Sequence, residues 1–272
     1  MAPTKPLYQY EEALRTHVAR IDDIRPWIEL GDAERGLFKT ASDTTFAVET
    51  NETIFYAQGG GQPFDTGHMK ATGQERKDVK FNVEAVRYGL EGRILHFGQF
   101  HGGPPFAAGE VVAQHIDGAK RDLNSRCHTA GHVVALAARQ LVEQTSDLNV
   151  TELKAQHYPD ASFVEFKGLI DGKHKDSIQE LSTQSVKDSL PIKLYWYSPD
   201  ELGPHGVITA EGMPIVAGQD GKVRVVDIER AGAYPCGGTH VQDTSVIGEI
   251  LVKGIKRQKG NSKVSYTIQD AK

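Results

Sequence analysis

The sequence predicts an α+β fold in two parts, an all-β N-terminal half followed by a half in which helices and strands mix. Three observations predict it. Short alternating runs cut by turn residues fill the stretch from Phe38 to about Ile116, the pattern changes after Asp117-Gly118, and helical and strand periodicities then interleave to the C-terminus. The chain has 272 residues, 39% hydrophobic and 25% charged, enough for two domains with their own cores, placed at 1–117 and 118–272.

The elements follow in order. Tyr8 to Asp22 reads as an amphipathic helix or an extended arm. Strands are expected at Thr45-Phe-Ala-Val-Glu, Thr53-Ile-Phe-Tyr, Phe81-Asn-Val-Glu-Ala-Val, Ile94-Leu-His-Phe and Val111-Val-Ala-Gln-His-Ile. Short strands with glycine-rich turns read as a barrel or sandwich. In the second half, Thr129 to Gln144 reads as a helix, with alanines at 130, 135, 137 and 138 and with Leu136 and Leu141 at apolar spacing. Strands near Ala155-Gln-His-Tyr and Ser162-Phe-Val-Glu-Phe follow, then a polar helix over Asp176 to Ser189. Strands at Ile192-Lys-Leu-Tyr-Trp-Tyr, Val223-Arg-Val-Val-Asp-Ile, Ile247 to Ile255 and Val264-Ser-Tyr-Thr-Ile complete the chain.

Composition narrows the function. The N-terminus opens no apolar signal region, and no run approaches the ~20 apolar residues that span a bilayer, so a cytoplasmic protein without membrane contact is expected. Two cysteines leave no disulfide framework once one is assigned to metal. A net charge of −5 argues against coating nucleic acid along the whole chain, so such contact must be local. Lys253, Lys256, Arg257, Lys259 and Lys263 crowd one stretch around Gly260-Asn261, making Lys256 and Arg257 candidate substrate contacts. A solvated hairpin end protected by its lysines explains the same residues.

Two motifs carry the chemistry, His128-Thr-Ala-Gly-His132 and Cys236-Gly-Gly-Thr-His240. With 11 His, about 0.44 His-x3-His pairs are expected by chance, but only about 0.08 Cys-x3-His pairs from two cysteines, so the coincidence is informative. Residues four apart share a helical face, so His128 and His132 should point the same way from the first helical turn. Gly237 and Gly238 let the second backbone fold around an ion. Three imidazoles and a thiolate are ligands a tetrahedral Zn²⁺ prefers. Two partly buried histidines and a core cysteine are the plainer alternative. Cys127 projects from another helical face and is read as structural. H-E-x-x-H is absent, which disfavours a metalloprotease.

Gly59-Gly-Gly-Gln-Pro-Phe-Asp-Thr-Gly67 supplies a third signal, three consecutive glycines without the G-K-[ST] of a phosphate-binding loop. With Thr53-Ile-Phe-Tyr-Ala-Gln before it, Arg126-Cys-His-Thr-Ala-Gly-His and Cys236-Gly-Gly-Thr-His-Val-Gln-Asp-Thr in the same order, it closely resembles the editing module of alanyl-tRNA synthetase. Without a synthetase catalytic domain, the chain resembles the free-standing AlaX family from about Phe38 to the C-terminus. One departure is Lys263, where the family often has arginine.

The resemblance implies a small N-terminal β-barrel and an α+β zinc-containing editing domain of the threonyl/alanyl-tRNA synthetase second-additional-domain type. It implies His128, His132, Cys236 and His240 as Zn²⁺ ligands, and Gln62 with Gly59, Gly60 and Gly61 as a loop lining the substrate. Thr45 aligns with a threonine that reads the serine hydroxyl. The implied reaction is hydrolysis of Ser-tRNA(Ala), and often Gly-tRNA(Ala). No residue is an obvious general base. Asp65, Gln62 and the amides of Gly59 to Gly61 are candidates to orient water or stabilise an oxyanion, with Asp65 equally readable as a turn residue. Hydrolysis of small aminoacyl esters, amides or thioesters is the competing enzymatic reading, and a zinc-stapled tRNA-binding module the non-enzymatic one.

Overall fold

The computed structural model describes residues 2–73, 76–145, 148–209, 215–218 and 220–270. The chain divides into two compact units, Met1–Gly59 with Pro63–Arg121, and Gly60–Gln62 with Asp122–Lys272. Among the described residues no helix is long and apolar enough to cross a membrane.

The first unit contains β1 (Lys5–Pro6), β2 (Thr16–Pro26), a single-turn α1 (Asp32–Arg35), β3 (Phe46–Thr50), β4 (Glu52–Thr53), β5 (Gly67–Ala71), β6 (Lys80–Tyr88), β7 (Ile94–His101) and β8 (Val111–Ile116). Six of these close an antiparallel barrel in the order β2-β3-β7-β6-β5-β8, while β1 and β4 form a short parallel pair. Closure removes the exposed edges that an open sheet of this size must protect. Alternate residues point inward, so Met69, Phe81, Val83 and Val112 share one core with Ile21, Val48 and Phe55.

Two expectations for this half are corrected. Tyr8 to Asp22 is neither helix nor arm: Leu7–Gln9 is a turn of 3-10 helix, and Thr16 onward is the long strand β2 that pairs with both β3 and β8. Its inward residues Ala19 and Ile21 alternate with exposed Val18 and Arg20, a period of two that the flanking charges obscure. The barrel therefore begins well before Phe38. Strand β5 was also unanticipated, because Gly-His-Met-Lys-Ala has no β-branched residue to announce it.

The second unit is built on α2 (Gly118–Gln144), whose first turn is grouped with the first unit. It continues through β9 (Thr151–Gln156), β10 (Phe163–Lys167), α3 (Lys175–Lys187), β11 (Ile192–Tyr197), β12 (Val223–Ile228), β13 (Gly232–Pro235), β14 (Glu249–Gln258) and β15 (Asn261–Gln269). These make a four-stranded antiparallel sheet, β14-β15-β10-β9, and a three-stranded one, β11-β12-β13. Every residue of α2 from Cys127 to Ala138 is buried. Val133, Val134, Ala137 and Leu141 share a core with Val164, Phe166, Ile250, Val252 and Val264 of the four-stranded sheet. A helical stretch buried on every side belongs inside a core, and its polar members His128, Thr129 and His132 must find partners there.

The helix starts eleven residues before the expected Thr129. Asp117 caps it, its carboxylate accepting the Lys120 amide at 3.0 Å. What reads as an Asp-Gly turn is a helix start, and His128 and His132 lie about three turns in rather than in the first turn.

Candidate metal centre

The chemistry of the second unit gathers where α2 meets the turn after β13. His128 and His132 come from successive turns of one helical face, their rings 5.0 Å apart at an interplanar angle of 20°. Cys236 and His240 come from the Cys-Gly-Gly-Thr-His turn. One ligating atom from each of the four lies within 4.8 Å of every other. Cys236 Sγ is 3.4 Å from His128 Nε2 and 3.6 Å from His240 Nε2.

The turn is shaped by close approach. A Cβ on Gly238 would overlap the His128 ring and touch the Gln62 amide oxygen. Gly237, by contrast, is exposed. Arg224, buried on β12, donates from Nη1 to the carbonyls of Cys236 at 2.6 Å and Gly238 at 3.0 Å. The Gly238 amide donates to Cys236 Sγ at 3.4 Å.

The site's electrostatics suit metal ligation. Burial holds His128 down at about 4, so the imidazole is neutral at pH 7, as a ligand must be. Burial alone would push the Cys236 thiol up, but the imidazoles of His128 and His240 hold it well below the usual thiol range. His132 Nε2 is buried without a hydrogen-bond partner in the protein. An orphaned ring nitrogen facing two imidazoles and a thiol fits a divalent ion of borderline softness.

Gln62 belongs to this site through its hydrogen bonds to the candidate ligands and their turn. It is fully buried, and its amide is committed on both sides. Nε2 donates to Thr239 Oγ1 at 2.9 Å, while Oε1 accepts the Thr239 amide at 3.0 Å and contacts His128 Nδ1 at 2.7 Å. A backbone amide can only donate, so that oxygen is an acceptor and His128 Nδ1 must carry its proton. Gln62 thereby fixes the tautomer that leaves His128 Nε2 unprotonated toward Cys236. In the preceding loop, Gly60 and Gly61 have φ of 51° and 77°. A Cβ on Gly61 would press on the Ala155 carbonyl and the His157 ring.

Asp65 and Thr45, two further candidate residues, lie in the first unit. Asp65 has one committed carboxylate oxygen, Oδ2, while its Oδ1 is buried without a hydrogen-bond partner in the protein. The residue is fully buried, ion-paired with buried Arg121, and accepts the Tyr56 amide at 2.8 Å. Arg121 spends its remaining donors on the carbonyls of Ile54 at 2.6 Å and Glu12 at 3.3 Å. Thr45 is also fully buried, its hydroxyl accepting the Ser42 amide at 3.0 Å and so closing the 42–45 turn. Gly59, also in the first unit, accepts the Tyr56 hydroxyl at 2.8 Å through its carbonyl. Lys256 and Arg257 are exposed on β14, with Arg257 paired to Asp171 at 3.3 Å and Lys256 directly across from Lys263. Cys127 lies outside the ligand group, its buried thiol pushed up to about 11.

Two neighbours of the candidate ligands carry no motif of their own. His157 stacks on His128 with centroids 4.2 Å apart. Its Nδ1 donates to the Tyr266 hydroxyl at 2.8 Å, and that hydroxyl donates to the Cys127 carbonyl at 2.9 Å. Glu152 is the second. It sits on β9 opposite Phe166, hydrogen-bonded to Tyr234, whose ring stacks on His132 at 5.0 Å. Burial pushes its carboxyl up, and its charge reaches His132 and Cys236. Neither residue has a motif spacing; only the fold of the sheet onto α2 brings them in.

The chain thus combines a barrel unit with an α+β unit that gathers three histidines and a cysteine. Residues 223–265 match the family described as the threonyl and alanyl tRNA synthetase second additional domain. The chain is 30% identical over 237 residues to the alanyl-tRNA editing protein AlaX-M of Methanosarcina barkeri, covering 84% of this chain and 91% of the relative, and it belongs to the AlaX-type alanyl-tRNA editing proteins. It is also similar to the alanine–tRNA ligases of Methanosphaera stadtmanae, 28% identical over 232 residues, and Korarchaeum cryptofilum, 33% identical over 222 residues. Those alignments cover 81% and 80% of this chain but only 24% and 23% of the ligases, so the chain spans about a quarter of their length.

Proposed function

We propose that the protein is a zinc-dependent trans-editing hydrolase that cleaves the ester of Ser-tRNA(Ala), and of Gly-tRNA(Ala), in the cytoplasm. The observation that carries this reading is the convergence of His128, His132, Cys236 and His240 within 4.8 Å, in a chain of the AlaX type. The chemical work is assigned to the second unit with its Gly60–Gln62 loop. Zinc bound by these four residues would lower the pKa of a bound water toward about 7 and polarise the ester carbonyl.

The chain's own residues supply the setting. Gln62 Oε1 holds the Nδ1 proton of His128, orienting the ring before substrate arrives. Arg224 cinches the Cys236 turn by its carbonyls. Glu152, the carboxylate whose charge reaches His132 and Cys236, is the candidate to take up a proton from the attacking water or to hold the amino acid's ammonium group. Lys256 and Arg257 on the β14–β15 hairpin are assigned to phosphates of the tRNA.

One observation favours a second reading. Four protein donors would fill a tetrahedral shell, as in structural zinc sites, whereas catalytic sites keep a position open. A zinc-stapled tRNA-binding module is therefore the alternative. The half-life of Ser-tRNA(Ala) with purified protein decides between them. The proposal expects it to shorten with wild type and not with Cys236→Ala; an unchanged half-life despite tight tRNA binding favours the module. Cleavage of a small aminoacyl ester by a protein indifferent to tRNA would instead identify a small-molecule hydrolase.

A further inference from the structure

The outer face of the barrel carries a cationic group that nothing in the first unit's packing requires. On β5, His68 and Lys70 point away from the core while Met69 and Ala71 point in; on β6, Lys80 and Asn82 alternate with buried Phe81 and Val83. Register places these outward residues side by side. Lys70 is directly opposite Lys80, Lys80 opposite His101 of β7, and His68 opposite both Asn82 and His115 of β8. His68 and His115 stack at 4.8 Å and 19°. Like charges directly opposite on a sheet cost stability, and opposite-sign partners are the usual arrangement. Among the described residues no carboxylate pairs with Lys70 or Lys80.

The charges are felt locally. Burial, then the positive charge of Lys80 and the neighbouring His115 and Lys70, holds His68 down at about 4. In a chain of net charge −5 the paired Lys70 and Lys80 concentrate positive charge at one spot, with Glu84 exposed two positions beyond Asn82 on β6. Two ammonium groups, flanked by imidazole and amide groups that donate hydrogen bonds, match adjacent phosphates of a nucleic-acid backbone.

We infer that the outer β5–β6–β8 face of the barrel, centred on Lys70 and Lys80, binds the phosphate backbone of the tRNA through residues that take no part in the candidate metal site. This rests on tRNA being the substrate. It makes the barrel a binding surface rather than only a scaffold.

The test is tRNA(Ala) binding by the full-length protein across a salt series, comparing wild type with Lys70→Gln/Lys80→Gln. The inference expects the double variant to bind about tenfold more weakly near 0.15 M salt, and its log-affinity against log-salt slope to fall by about two. Zinc content should not change. Because the lysines repel each other, the variant should melt no lower than wild type, which separates lost binding from lost folding. Equal affinity and slope in both proteins would overturn the inference while leaving the editing reading intact. Failure of wild type to bind or deacylate tRNA would overturn both. Unchanged tRNA binding with lost binding to phosphatidylserine vesicles would overturn it in favour of a membrane-facing surface.

Discussion

Gln62 Oε1 lies 2.7 Å from Nδ1 of His128, and the Thr239 amide, donating to the same oxygen, leaves that nitrogen no role but donor. The glycine loop is thereby tied to the metal-ligand helix by a hydrogen bond that sets which ring nitrogen can bind an ion. Gln62→Ala should weaken zinc binding by about 10- to 100-fold, as loss of an outer-shell partner does. Competition with a chromogenic chelator measures this, and an unchanged affinity would show that helix packing alone orients the ring.

Gly238 and Gly237 should behave differently although they are adjacent. A methyl on Gly238 must displace the His128 ring and Gln62, whereas Gly237 is exposed. Gly238→Ala is expected to cost about 1–3 kcal/mol and to reduce zinc occupancy. Gly237→Ala should leave zinc content near wild type. Urea unfolding with metal analysis reads both, and equal behaviour of the two variants would refute the close-approach account.

Asp65→Ala should act on stability. It strands the buried Arg121 guanidinium and removes the acceptor of the Tyr56 amide, so about 3–5 kcal/mol should be lost. Zinc affinity of the folded protein should hold. Wild-type stability with abolished turnover would return Asp65 to the catalytic machinery.

Glu152→Gln keeps shape and removes charge. If its carboxylate serves the reaction, kcat for Ser-tRNA(Ala) should fall by about 10²-fold or more with zinc content unchanged. Single-turnover deacylation distinguishes this from a binding defect, and a wild-type rate would leave Glu152 a packing residue.

Acid should weaken the barrel through His96. Its Nδ1 donates to the Val48 carbonyl at 2.9 Å, its Nε2 contacts the Thr53 hydroxyl at 2.8 Å, and burial holds its pKa down at about 4. The folded pKa lies below the unfolded value near 6.5, so stability is full above pH 6.5. As pH falls toward 4 the unfolded chain takes a proton that the folded one refuses, and about 3 kcal/mol is lost across that window. His96→Gln should reduce the slope of stability against pH there by about one proton. An unaltered slope would contradict the assignment.

Much of this molecule is legible in the sequence, and what is not has identifiable causes. Strands β11 and β12 fall where their β-branched and aromatic runs place them. Each pair of candidate ligands is legible because i,i+4 spacing on a helix and a Cys-x3-His turn are local geometries, whereas the packing of α2 against that turn joins the two pairs. Strand β2 was hidden because alternating polar residues on a barrel's outer wall also satisfy a helical reading. Gln62, His157 and Glu152 owe their places beside the ligands to long-range packing, which no spacing encodes. For Asp65 both readings stand in the sequence, because a polar residue looks the same there whether it faces a substrate or packs inside a barrel, and Thr45 rests on the resemblance alone.

The central claim is that one zinc, shared by His128, His132, Cys236 and His240, is what makes this chain an editing hydrolase. Titrating zinc into metal-free protein while following Ser-tRNA(Ala) deacylation tests it directly. The account predicts that activity rises linearly and saturates at one zinc per chain, and that a His128→Ala/His132→Ala variant neither binds the ion nor gains activity. Full deacylation by metal-free wild type, or saturation of zinc without turnover, would contradict it.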